Sequence, residues 1–173
     1  MKRLSIILFV LAFSSPLFSQ SIKTNQIDDF TGNKVVITDW ETIRITGSHS
    51  IMIRFHSQDT VGIMQLSWVN YRVCSVEAGP KKVLFKLSNN EVIGFENLSS
   101  QLSSRGGGTV GLTGGNALGL RLNLYSKEMD KLVDALVTKI RIYSSEGTID
   151  LDITEQKAQL LRDTYRLFLN TQK

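Results

Sequence analysis

The sequence predicts an α+β fold, a mainly antiparallel curved sheet or partial barrel of about eight or nine strands. A short helix near 127–136 and a C-terminal helix packed on the sheet complete it. Three observations carry this expectation. Leu118, Leu120, Leu122 and Leu124 recur at period two, which turns one whole face of a strand inward. Short alternating runs separated by turn residues repeat between residues 34 and 95. The apolar period then lengthens to three or four after Ser126 and again after Thr154.

Residues 20–30 are polar and read as a flexible N-terminal segment ahead of a single domain over 31–173. Val35 and Ile37 alternate with Val36 and Thr38, and Ile43 and Ile45 with Arg44 and Thr46. A turn or bulge is expected at Asp39-Trp40-Glu41. Ile51, Ile53 and Phe55 face one way, and Met52, Arg54 and His56 the other. Met64, Leu66 and Trp68 mark the inward face of the returning strand. Further strands are expected over 71–76, 82–87 and 92–95, with a turn at Glu77-Ala78-Gly79-Pro80, a tight turn at Asn89-Asn90 and a Ser-rich loop over 97–105. Ser126 suits a helix N-cap, and Met129, Leu132, Val133 and Leu136 fall on one helical face. Strands return with Ile140 and Ile142, then with Ile149, Leu151 and Ile153. The last helix opens at Thr154 and presents Ala158, Leu161, Tyr165 and Phe168 to the sheet.

Composition excludes several functions. The 173 residues contain one Cys and two His, too few for an internal disulfide or a Cys/His zinc finger. Residues 1–19 have the order of a secretory signal: basic Met1-Lys2-Arg3, an apolar run from Leu4 to Phe13, then small residues, with cleavage expected near Ser19-Gln20. The apolar run is shorter than the roughly 20 residues a membrane span needs, so no integral membrane protein is expected after cleavage. Of the 20 basic side chains, Lys2 and Arg3 leave with that segment, and the rest barely exceed the 16 acidic ones. Such a balance is no electrostatic footprint for nucleic acid. The protein is therefore expected to be exported, periplasmic or secreted.

The motifs are sparse. Gly106-Gly107-Gly108 through Gly114-Gly115 resembles a phosphate loop only in glycine content. It lacks the Gly-Lys-Ser/Thr end and the following helix that would converge on phosphates, and reads as hairpin chemistry. Gly111, Gly115 and Gly119 also spell a small-residue membrane motif, in an uncharged stretch too short for a span. His56 and Asp59, with His49 nearby, are the weak catalytic candidates; their spacing matches no metal pattern, and no Gly-x-Ser-x-Gly elbow supplies a nucleophile. No metal site and no cofactor is assigned. Asp150 and Asp152 share a strand face and are expected to pair with Lys139 and Arg141 of the companion strand. Cys74 is expected to be buried and inert. Lys81, Lys82 and Lys86, with Arg72 and Arg105 in the vicinity, are read as a surface patch for an anionic surface or as a lysine-protected sheet edge. Trp68 reads as core, while Trp40 is compatible with core or with a sugar-stacking platform.

Two stretches carry a resemblance: the signal ending Phe18-Ser19-Gln20, and the segment Thr138 to Ile153 with its terminal helix. They resemble a group of small, uncharacterised exported proteins of Bacteroidota-type bacteria, over about the last third of the chain. The resemblance implies a periplasmic or surface setting and carries over no catalytic residues. A strand-rich body closed by a helix is also similar to a pleckstrin-homology-like roll, from which the extra helix near 127–136 departs. The resulting expectation is an exported, non-enzymatic binding or interaction module whose partner is an envelope protein, a glycan or an anionic surface. The alternatives are a hydrolase of envelope glycan or peptide, or a module binding anionic membrane surfaces.

Overall fold

The computed structural model describes residues 20–47, 49–58, 61–105 and 118–173. Its strands are β1 (Ile22–Ile27), β2 (Lys34–Thr38), β3 (Glu41–Ile45), β4 (Ser50–Gln58), β5 (Val61–Asn70), β6 (Ser75–Val76) and β7 (Gly79–Leu87). They continue with β8 (Val92–Asn97), β9 (Gln101–Leu102), β10 (Ser104–Arg105), β11 (Leu118–Tyr125), β12 (Val137–Ser144) and β13 (Gly147–Asp152). A 3₁₀ segment spans Met129–Val133, and α1 spans Glu155–Gln172.

All pairings are antiparallel, in the order β1-β2-β4-β5-β11-β8-β7-β12-β13, with β3 beside β4, β10 beside β11, and β6-β9 as a separate ribbon. The sheet is not closed: β1 and β13 end the order. Helix α1 touches β2, β3 and β4, and also β12. Between β4 and β12 lie β5, β11, β8 and β7, so the sheet rolls around the helix. The core lies inside this roll. Its sheet side is the alternating set Ile51, Ile53, Phe55, Met64, Leu66, Trp68, Leu120, Leu122 and Leu124, each at most 1% exposed. Ala158, Leu161, Tyr165 and Phe168 of α1 meet it as expected.

Four local expectations change. The polar segment over 20–30 contains strand β1, paired with β2 from Ile27↔Lys34 to Ile22↔Thr38. The Ser21 hydroxyl donates to the Asp39 carboxylate, and the Asp39 amide donates to the Ser21 carbonyl at 2.9 Å, which ties this strand down. The Tyr71–Val76 strand shrinks to Ser75–Val76. The Asn70 side-chain oxygen accepts the Arg72 amide proton at 2.8 Å, an Asx turn that withdraws the backbone from the ladder. Residues 97–105, expected as loop, include the two-residue strands β9 and β10. The helix near 127–136 is one 3₁₀ segment. Met129 and Leu132 both point inward, and their spacing of three suits a three-residue turn, while a short α-helix would bear a full nucleation cost.

Candidate functional site

A concavity of about 330 Å³ beside the end of β5 is lined by His49, Trp68, Asn70, Tyr71, Arg72, Cys74, Glu146 and Ile149. Distant segments supply it. His49 comes from the turn between β3 and β4, where its amide donates to Thr46 Oγ1 at 3.0 Å and its carbonyl accepts the Thr46 amide proton at 2.8 Å. Trp68 and Asn70 end β5. Tyr71, Arg72 and Cys74 come from the segment after β5, and Glu146 from the β12–β13 turn.

Hydrogen bonds fix the segment after β5. Ser103 Oγ accepts the Cys74 amide proton at 2.9 Å, and the Ser103 amide donates to the Cys74 carbonyl at 2.8 Å. The Ser75 amide donates to Ser145 Oγ at 3.0 Å, and the Ser145 amide returns a bond to the Ser75 carbonyl at 2.9 Å. The Cys74 thiol is buried, as expected, and accepts a bond from Asn70 Nδ2 at 3.2 Å.

His49 has a defined chemical state. Trp68 Nε1 donates to its Nδ1 at 3.2 Å, with the ring centroids 5.9 Å apart. An indole nitrogen only donates, so Nδ1 carries the lone pair and the neutral ring holds its proton on Nε2. Burial, and then the charge of Arg72, hold the imidazole below its ordinary value. Protonation would put a proton where Trp68 already donates.

The sign of the pH dependence follows. As pH falls below the unfolded histidine value of about 6.5, the unfolded chain gains a proton that folded His49 still refuses. Stability is full above that pH and falls as the pH drops towards the lowered folded value. Melting temperatures between pH 8 and 5.5 are expected to decline on the acid side, and His49→Gln, whose amide oxygen can accept the indole proton, is expected to flatten the profile. His56, which burial also lowers, adds a slope of the same sign, so the flattening is partial. An unchanged profile in His49→Gln would contradict the assigned state.

The residues expected from sequence fall elsewhere. His56 is half-buried on the other side of the sheet, opposite Ile37 and Ile63, with a buried Nε2 that has no partner among the described residues. Strands β2 and β5 flank it on both sides. Asp59 and the glycine run 106–115 lie outside the described residues. Asp150 and Asp152 do pair across the hairpin. Arg141 Nε and Nη2 donate to the two Asp150 oxygens at 2.6 Å each, and Lys139 lies 3.2 Å from Asp152.

Lys81 and Lys86 share the outer face of β7, while Lys82 is half-buried. Lys81, at φ 54°, lies over Gly94, where a Cβ would come within 3.1 Å of its Cγ. Lys81 borders an open groove of about 560 Å³ with Leu84, Tyr125 and Lys127, and Glu96 and Glu128 line the same groove. With Arg141 and Lys139 already paired to aspartates, this face is mixed in charge.

Among the described residues, no group of three or more His, Cys, Asp and Glu side chains gathers around a metal position, and no helix is long and apolar enough to cross a membrane. No protein-family model, curated protein or solved structure matches the chain.

Sequence reading missed the assembly of this concavity. Trp68 was legible as core, but its bond to His49 joins positions 19 apart across the β3–β4 turn and β5.

Proposed function

We propose that the protein is an exported binding module, and that the His49–Trp68 concavity takes a small zwitterionic, ring-bearing ligand of the class of aromatic amino acids and peptide ends. The N-terminal order of charge, apolar run and small residues supports export. The observation that carries the binding reading is the grouping of opposite charges and aromatics around one pocket. Arg72 can hold a carboxylate and Glu146 an ammonium, while Tyr71, 58% exposed, borders a ring. The volume lies at the lower end of small-molecule sites. His49 Nδ1 is occupied by Trp68 and the Cys74 thiol by Asn70, so each reactive side chain already has a structural task. This favours binding over base-assisted attack, which would need Nδ1.

Thermal shift with free phenylalanine and tyrosine tests it, with N-acetylphenylalaninamide and glucose as uncharged controls. The amino acids are expected to raise the melting temperature in a saturable way and the controls to leave it unmoved. Tyr71→Ala and Arg72→Ala, both exposed, are expected to weaken binding at least ten-fold with little change in the unliganded melting temperature. Equal responses to amino acids and controls, or unaltered affinity in both variants, would count against the reading.

A further inference from the structure

The outer face of β4, β5 and β11 carries an arrangement separate from the concavity. Arg54 on β4 lies opposite Gln65 on β5, which lies opposite Asn123 on β11. Arg54 Nε donates to Gln65 Oε1 at 2.7 Å, and Gln65 Nε2 donates to Asn123 Oδ1 at 2.7 Å. Arg121, two residues before Asn123, comes in from the same strand. Both guanidiniums converge on Trp40, with their central carbons 4.6 Å and 5.2 Å from the ring centroid. The two arginines and Trp40 are all half-buried.

Two cations on one indole repel each other. No carboxylate among the described residues lies within ion-pair distance of either one. Asp39, whose charge acts on Arg54, has its carboxylate engaged by the Ser21 hydroxyl. Burial and the charge of Arg121 push the Arg54 guanidinium down from its ordinary value, while Asp39 acts the other way. Arg121 Nε is buried with no partner among the described residues. The Gln65–Asn123 chain fixes Arg54 through its Nε and leaves its terminal nitrogens to point elsewhere. Two planar donor forks, held by a sheet and backed by an aromatic ring, match the geometry of an oxyanion.

We propose that Arg54 and Arg121, seated on Trp40, form a binding site for an oxyanion group, a carboxylate or a sulfate or phosphate ester carried by a ligand. The anion receives donors from both guanidiniums and relieves their mutual repulsion. Trp40 holds the two side chains in place and serves as a reporter. The proposal does not depend on the His49–Trp68 concavity, and the two tryptophans read the two sites separately.

The test follows the indole N–H signals of the full protein by ¹H–¹⁵N NMR. Sodium sulfate and sodium glucuronate are titrated against sodium chloride at matched ionic strength, so that general screening is held constant. The Trp40 signal, assigned by its loss in Trp40→Phe, is expected to shift saturably with at least one oxyanion and not with chloride. Sulfate alone would identify an ester-type anion, and glucuronate alone a carboxylate. Arg121→Gln is expected to weaken the response at least ten-fold. Arg121→Lys keeps the charge without the fork and is expected to retain an intermediate affinity; it also stands in if the glutamine variant does not fold. No saturable Trp40 shift with either anion would overturn the proposal. So would a wild-type response in the folded Arg121→Gln variant, or a shift confined to Trp68.

Discussion

Phe168→Ala is expected to destabilise the protein by about 3–5 kcal/mol, the range for truncating a buried aromatic in a core that relaxes incompletely. Phe168 is 0% exposed. Its ring lies 5.8 Å from Phe55 of β4 and 6.3 Å from Tyr165 of its own helix. It also covers Gly62 on β5, where a Cβ would sit 3.2 Å from the Phe168 ring. One side chain therefore joins α1 to two adjacent strands. Tyr165 adds a bond from its hydroxyl to Asp130 at 2.8 Å, and Arg166 donates to the Val133 carbonyl at 2.7 Å, anchoring α1 on the 3₁₀ segment. The loss is large beside the roughly 5–15 kcal/mol that holds most native domains together. For a chain of this size it corresponds to a fall of roughly 6–20 °C in melting temperature. Chemical denaturation of the variant checks it, and a change below about 1 kcal/mol would mean that α1 does not plug the roll.

Substitutions at Asn97 are expected to cost nearly as much, by a different mechanism. Asn97 is 0% exposed on β8. Its amide nitrogen donates to the carbonyls of Val76 at 3.2 Å, Glu77 at 3.1 Å and Ser99 at 2.7 Å. Two protons thus serve three oxygens, and they pin β6 and the start of the Ser-rich segment to the main sheet. Asn97→Leu removes the donors and leaves carbonyls buried without partners, at about 1–3 kcal/mol for each group that water fails to reach. Asn97→Asp keeps the shape but presents a carboxylate to three carbonyl oxygens, and is expected to be the more damaging at neutral pH. A buried Asp in that position has its folded pKa raised, so the variant binds a proton more readily folded than unfolded. Its stability is expected to recover as pH falls towards the ordinary carboxylate range. Urea denaturation at pH 7 and pH 5 reads both effects. Equal stability of Asn97→Asp and the parent at pH 7 would remove this account of the residue.

How much of this was legible in the sequence depends on the range of the interaction. Alternation is local, so Ile51-Ile53-Phe55 and the leucines of β11 identify their inward faces unaided. The face of α1 is likewise written in the spacing of Ala158, Leu161, Tyr165 and Phe168. The facing charges Arg141–Asp150 and Lys139–Asp152 were readable because a short turn brings their strands together. Strand β1 was not, because Ile22–Ile27 is largely polar and exposed and is held by backbone pairing that leaves no hydrophobic signature. Both sites depend on long-range register. Arg54 and Arg121 belong to strands separated by β5, and nothing in their neighbourhoods along the chain announces that they meet over Trp40. The concavity likewise needs the β3–β4 turn, the end of β5 and the β12–β13 turn to arrive at one place. The only advance signals were outward-phase arginines on otherwise apolar strands and an undecided tryptophan between two runs.

The most direct measurement is the Trp68 indole N–H signal during a titration with free phenylalanine. Trp40→Phe leaves one indole signal, so its assignment is unambiguous. The signal is expected to move saturably, because a ligand between Arg72 and Glu146 meets the imidazole to which Trp68 is bonded, and the movement is expected to vanish in Arg72→Ala. A Trp68 signal that stays fixed up to the solubility limit of the amino acid would contradict the assignment of this pocket as the binding site.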